Sequence, residues 1–214
     1  MASGILVVVE HDSGTPKKTA YELLSKAASL AGELGGGVSA VLIGSADVSN
    51  LGDYGASTVY SVDGESFKGY TTEGWTSALA AVIERADPAV VLAPASPACK
   101  DSFPRLAARK GFGMASEVTE LSVAGGSLLA RRPVYAGKAM VAVRIKSATA
   151  LITVRPNSFG AGEATGGSSE LVSVAVEAGA VRSKVVEQVE AATDVADLTE
   201  ADRIVSGGRS LKSE

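Results

Sequence analysis

The chain has 214 residues, 46% of them hydrophobic and only 5% aromatic, a balance that suits one sizeable aliphatic core with a tail. A formal net charge of −4 offers no basic stripe to neutralise phosphates, which argues against nucleic acid, and no apolar run approaches the ~18–20 residues of a membrane-spanning helix. The N-terminus MASGILVVVEHD turns acidic too soon for a secretory signal, and the single cysteine, Cys99, excludes an internal disulfide or a dithiol centre, so a cytoplasmic protein is expected.

Residues 5–9, ILVVV, read as a strand buried on both faces. A helix should follow, capped by Thr15 with Pro16 at its first position; Ala20, Leu23, Leu24, Ala27, Ala28, Ala31 and Leu34 fall on one side of it before Gly35-Gly36-Gly37 ends it. A strand over 38–43, a short helix around 47–51 and a strand over 58–62 continue the alternation. Trp75, Ala78, Leu79, Val82, Ile83 and Ala86 mark a second amphipathic helix closed by Asp87-Pro88. Val90-Val91-Leu92 is another buried strand, whose exit loop over 93–97 feeds a helix through Phe103, Leu106 and Ala107. Such alternation predicts an α/β, Rossmann-like fold: a mainly parallel sheet flanked by helices.

From Ser116 helical spacing gives way to strand-like segments around Val123 and over 128–135, 139–145 and 148–154, with a hairpin turn at Gly125-Gly126. These predict an antiparallel extension of the sheet, with 171–176 as a further edge strand. Four glycines between Phe159 and Ser169 predict a mobile surface excursion. Residues 177–197 read as a charged connector with one possible strand at 185–189. The reading divides the chain into a scaffold domain, 1–192, and a linker with the start of a second domain, 193–214.

Few side chains suggest chemistry. His11 follows the first strand, where α/β sheets place functional groups, but has no evident second ligand or nucleophile and reads as a surface or capping histidine. Cys99 sits near a helix start beside Lys100, which could lower its thiol pKa, yet lacks a resolving cysteine and reads as non-catalytic. Arg131 and Arg132 could meet an acidic partner or be solvated charge at a strand end. The tail differs. Ile204-Val205 enters Ser206-Gly207-Gly208-Arg209-Ser210, a glycine-rich turn of the kind that leads into a phosphate-holding helix N-terminus, with only Leu211 to Glu214 after it to enclose a ligand.

Residues 132–139, Arg-Pro-Val-Tyr-Ala-Gly-Lys-Ala, resemble the R-P-I-Y-A-G-N-A segment of the electron transfer flavoprotein alpha subunit. Val8-Val9-Glu10-His11 resembles that family's first strand and exit, Phe103-Pro104-Arg105-Leu106-Ala107 its L-P-R-x-A helix, and Ile152-Thr153-Val154-Arg155-Pro156 its I-T-V-R strand. Residues 201–213 resemble the stretch A-x-x-V-V-S-G-G-R-G-L-K-S that opens the family's FAD domain. The resemblance implies a subunit that pairs with a beta subunit and passes electrons from flavoprotein dehydrogenases to a quinone reductase or another acceptor. It implies no catalytic residues in this segment. The family's FAD is held mainly by the alpha subunit's C-terminal domain with help from the beta subunit, while the N-terminal domain is scaffold and interface. Gly208 and Arg209 are thereby implied as FAD contacts in the full-length protein, and no cofactor is expected for this segment alone. Lys138 stands for the family's asparagine, and Ser210 for a turn glycine.

One rival reading is a self-sufficient adenine-nucleotide-binding module, since residues 206–210 superficially resemble the S-G-G-x-D-S loop of ATP pyrophosphatases; the aspartate is missing, and that loop should follow the first strand. Another is a stand-alone assembly protein with a partner interface and no nucleotide affinity.

Overall fold

The computed structural model describes residues 2–179, 181–183, 185–187, 198, 201, 203–208 and 210–211. β1 (Ile5–Val9) is wholly buried, and its side chains alternate between two layers. Ile5, Val7 and Val9 pack with Leu23, Leu24 and Ala27 on one face of the sheet, while Leu6 and Val8 meet Leu79, Val82 and Phe103 on the other. This two-sided burial is why the strand's apolar run is continuous instead of alternating.

β2 (His11–Asp12) and β3 (Thr15–Pro16) form a small hairpin, with Ser13 and Gly14 at φ 46° and 84° in its turn. The expected cap at Thr15 and helical Pro16 are therefore corrected: proline's fixed φ also suits extended backbone, and His11 opposite claims the segment. α1 (Lys18–Leu34) instead begins after Lys17, without a side-chain cap, and stops at Gly35, whose N–H reaches the Ala31 carbonyl. After β4 (Val38–Ile43) the expected helix at 47–51 is absent. Asp47 accepts the Ser49 N–H at 2.9 Å, a local bond that competes with helix, and a single 3-10 turn follows at Gly52–Tyr54.

β5 (Thr58–Val62) leads to α2 (Thr72–Ala86), where Thr71 accepts the Gly74 N–H and Asp87 closes the helix at φ 43°. β6 (Val90–Pro94) runs two residues past its apolar triplet, and α3 (Pro97–Lys110) starts with Ser96 as cap and Pro97 in its first turn. β7 (Gly113–Val118) has no counterpart in the sequence reading: it is an edge strand of mixed burial, with a weak apolar pattern.

The antiparallel extension is a separate three-stranded sheet of β8 (Glu120–Ala124), β9 (Ser127–Val134) and β10 (Ala139–Arg144), turning at Gly125-Gly126 as expected. β11 (Ala150–Val154), grouped from sequence with these strands, returns to the main sheet and lies parallel between β6 and β7. β12 (Glu170–Ser173) is the edge strand anticipated there. Among the described residues the main sheet has seven strands in the order β12-β5-β4-β1-β6-β11-β7, every neighbouring pair parallel.

The glycine-rich stretch after β11 lies across α1. The Asn157 N–H reaches Glu22 (3.1 Å), the Gly162 N–H reaches Ser25 (2.9 Å), and the Thr165 N–H meets the Asp53 carbonyl (2.9 Å). Of the strand expected at 185–189, residues 185–187 are not in a strand and the rest lies outside the described residues. Among the described residues no helix is long and apolar enough to cross a membrane.

Candidate functional site

β1 pairs with β4 on one side and β6 on the other, so the strand order reverses between β1 and β6. In open parallel sheets ligands bind at such a switch, outside the carboxyl ends of the strands. Here the chain leaving β1 supplies Glu10 and His11, and the chain leaving β6 supplies Ser96 and α3. A crevice of about 650 Å³ opens beside them, with Lys17, Lys68, Tyr70 and Trp75 among its walls.

Glu10 defines the floor. Its Oε1 accepts hydrogen bonds from Ser96 Oγ (2.5 Å) and Cys99 Sγ (3.6 Å), while Ser96 Oγ also accepts the Cys99 N–H at 3.2 Å. The protein's own carboxylate thus lies at the amino end of α3, the place where helix dipole and free amides would draw an anionic ligand. The β2–β3 hairpin separates β1 from α1, so the glycine-rich strand-to-helix turn of a dinucleotide site is also missing there. Nothing in this geometry supports a self-sufficient adenine-nucleotide module.

The two side chains singled out from sequence are both beside this crevice, and both are tied down. His11 Nε2 lies 3.2 Å from the Ile43 carbonyl; because a carbonyl only accepts, Nε2 bears the proton. Nδ1 is buried and has no hydrogen-bond partner among the described residues. Gly44 makes the contact possible: at φ 95°, a Cβ there would stand 2.9 Å from His11 Nε2. Cys99 is fully buried, and burial first, then the Glu10 charge, pushes its thiol well above the ordinary value. The expected lowering by Lys100 is overturned, since Lys100 turns away to pair with Glu117.

The aromatic wall is fixed too. Tyr70 and Trp75 meet edge to face, ring centres 5.3 Å apart, and the Tyr70 hydroxyl donates to Asp101 at 2.6 Å. Burial and that bond push the Tyr70 hydroxyl up, while bonds from Thr72 and then Tyr70 hold Asp101 below the usual carboxylate range. At the far end of the sheet Glu117, in left-handed backbone at φ 56°, pairs with Lys100 and with Arg155 (3.1 Å). Lys100 first, then Arg155, lowers its pKa.

No nucleophile, base and orienting group are brought together here, and among the described residues no three metal-binding side chains cluster. Sequence reasoning passed over Glu10 and Ser96 as a pair. Ser96 before Pro97 was the available signal, being a helix cap followed by a first-turn proline.

Arg131 and Arg132 do not converge on the crevice. Arg131 pairs with Glu120 at 3.1 Å on the antiparallel sheet, and the buried Arg132 Nε has no acceptor among the described residues. In the tail, Gly208 lies in an exposed turn closed by the Leu211 N–H to its carbonyl (3.0 Å), and Arg209 lies outside the described residues. Ile204, Val205 and Leu211 are exposed, with Val205 at 100%, and Ile204 and Val205 are not in a strand. The described tail residues present an exposed turn.

Residues 5–194 match the family model described as "Electron transfer flavoprotein domain". The chain is 33% identical over 218 residues to the electron transfer flavoprotein subunit alpha of Bacillus subtilis, a match spanning 100% of this chain and 66% of the relative. It is 33% identical to the same-named subunit of Syntrophomonas wolfei, covering 98% and 66% of the two chains. It is also 29% identical to the subunit LctC of the lactate dehydrogenase (NAD(+),ferredoxin) of Acetobacterium woodii, covering 99% and 52%. The chain therefore spans about two thirds or less of the length of these curated relatives.

Proposed function

Because the chain belongs to the electron transfer flavoprotein family, we propose that residues 1–192 act as the N-terminal scaffold and subunit-interface domain of an alpha subunit, and that residues 193–214 open its FAD domain. The whole protein would pair with a beta subunit, hold FAD, and carry electrons in the cytoplasm from flavoprotein dehydrogenases to a quinone reductase or other acceptor. It would be a carrier and not an enzyme in its own right.

The observation that carries this reading is the carboxylate that occupies the amino end of α3 at the switch point. Glu10 takes the place at α3 where a ligand anion would sit, so the domain's most favourable binding position is spent on its own packing. The segments that resemble the family's motifs are likewise structural. Phe103 is fully buried, Ile152 lies in the buried strand β11, and Arg155 pairs with Glu117. Gly208 and Arg209 are proposed as FAD contacts once the remainder of a FAD domain encloses them. A guanidinium's planar fork of donors suits a pyrophosphate.

The test is co-expression with the cognate beta subunit, followed by size-exclusion chromatography, and calorimetric titration of the chain alone with ATP and AMP. The proposal expects an equimolar complex and no heat of nucleotide binding. A chain that ignores the beta subunit and binds AMP would reverse it.

A further inference from the structure

Only Thr119 stands between β7 and β8, so the chain passes from the parallel sheet to the antiparallel one across a single residue. The passage is prepared by a bulge. Ala115 pairs with Ile152 and Val118 with Val154, which leaves Ser116 and Glu117 together opposite Thr153, the extra residue that bends a strand. Glu117 holds φ 56° there. Among the described residues it is the one residue other than glycine with left-handed backbone inside a β-strand; Ser13, Asp87, Tyr135, Ala136 and Asn157 have it in turns or at a helix end. Glycine would take this conformation freely, whereas a long charged side chain keeps it only where the surroundings hold it.

The holding groups come from three directions. The Glu117 N–H donates to Oγ1 of the buried Thr153 at 3.3 Å. Its two carboxylate oxygens are divided, Oε1 to Lys100 in the first turn of α3 and Oε2 to Nε of Arg155, the residue that follows β11, at 3.1 Å. On either side the backbone is tied as well: the Arg155 N–H reaches the Val118 carbonyl and the Thr119 N–H the Arg131 carbonyl on β9, each at 2.9 Å. One side chain thus joins α3, β11 and the corner where β8 begins. Half-exposed ion pairs add little to stability, and Leu121, Leu128 and Ala130 already fasten the antiparallel sheet to the core. Apolar contact is non-directional, however, while charge-assisted hydrogen bonds to two separately anchored cations fix a direction.

We propose that Glu117 is a positioning residue whose two ion pairs hold β7 in its bulged, left-handed form and so set the direction in which the antiparallel sheet leaves the parallel one. Glycine at this position would supply the bend without the direction. Glutamine would keep the length of the side chain and lose the attraction to both cations. The device is internal to this chain and goes beyond the subunit role proposed above, so it is read without any partner.

The experiment is pulsed electron paramagnetic resonance on the full gene product, with spin labels on Ser122→Cys in β8 and Arg109→Cys near the end of α3, both exposed, while the buried Cys99 stays unlabelled. A second pair, Arg109→Cys with Glu33→Cys at the exposed end of α1, reports on the body of the parallel sheet alone. Each pair is measured with native Glu117, with Glu117→Gln, with Glu117→Gly and with Lys100→Gln and Arg155→Gln together, and circular dichroism confirms that each protein is folded. The expected result for the first pair is one narrow distance in the native sequence and, in all three variants, a broader distribution or one displaced by about 2 Å or more, with the second pair unchanged throughout. A native distance retained by Glu117→Gln or by the double variant overturns the positioning role, and one retained by Glu117→Gly overturns it in favour of the backbone bend alone. A broad distribution already present in the native sequence, or equal displacement of the second pair, also overturns it, the latter by showing a general loosening of the fold.

Discussion

Cys99 in the first turn of α3 and Glu117 on β7 are opposite in their chemistry. The Cys99 thiol, buried and facing Glu10, is held protonated, so an aromatic disulfide reagent at about pH 8 should leave the native protein untouched and titrate one thiol only after denaturant is added. Rapid reaction of the folded chain would mean that α3 opens easily. Glu117 behaves in the opposite sense. Its folded pKa is lowered, so its pairing with Lys100 and Arg155 contributes fully above the unfolded value of 4.5 and is lost as pH falls through the lower folded value. Glu117→Gln should therefore cost about 1 kcal/mol or less near neutral pH, since both cations are half exposed, and the gap between variant and native should close in urea titrations at acid pH. A gap that widens on acidification would contradict the assignment. From sequence, Cys99 was legible as an inert thiol, but the direction of its pKa was not: Lys100 is its neighbour in the chain, yet in space it belongs to Glu117.

At the scale of elements, periodicity decided what could be read. β1, β4, β5, α2 and the end of α1 were legible because burial on both faces writes a continuous apolar run and one-sided burial writes a 3.6-residue stripe. β7 was not, because an edge strand that carries Gly113, Ser116 and Glu117 has little pattern to show. β11 was found as a strand but misplaced, because nothing local says that a strand following three antiparallel ones should re-enter a parallel sheet. The glycine-rich crossover after it has a firmer role than its composition suggests. Gly52 and Gly167 touch: a Cβ on Gly167 would stand 2.4 Å from the Gly52 carbonyl oxygen, and one on Gly52 2.6 Å from the Ser168 carbonyl carbon. Gly167→Val should thus cost about 1–3 kcal/mol, as overpacking does, and speed hydrogen exchange in the neighbouring β12 more than in β1. Equal stability would show that the crossover is not held against that turn. On the other side of the sheet, Phe103→Ala empties the fully buried space between α3 and the strands, with an expected loss of about 3–5 kcal/mol in chemical denaturation.

Among the described residues a closely packed core is set beside exposed surfaces on the antiparallel sheet and in the tail. At the switch point Glu10 takes the amino end of α3, while the turn at Tyr135 and the tail around Gly208 present exposed apolar side chains. This distribution suits a domain whose work is done in company. Its family was legible from short segments, although the structure puts four of them to use in packing, in ion pairs and in the antiparallel sheet; the fifth, around Gly208 and Arg209, is the one we propose for a cofactor. On the function proposed, this domain scaffolds a flavoprotein without binding the flavin itself. Its most direct test is the visible absorption spectrum of the purified 214-residue chain, set beside that of the full gene product in complex with the beta subunit. The account predicts a flavin spectrum in the complex and none in the chain alone, whereas stoichiometric flavin retained by the 214 residues would contradict it and make the turn at Gly208 part of a complete site.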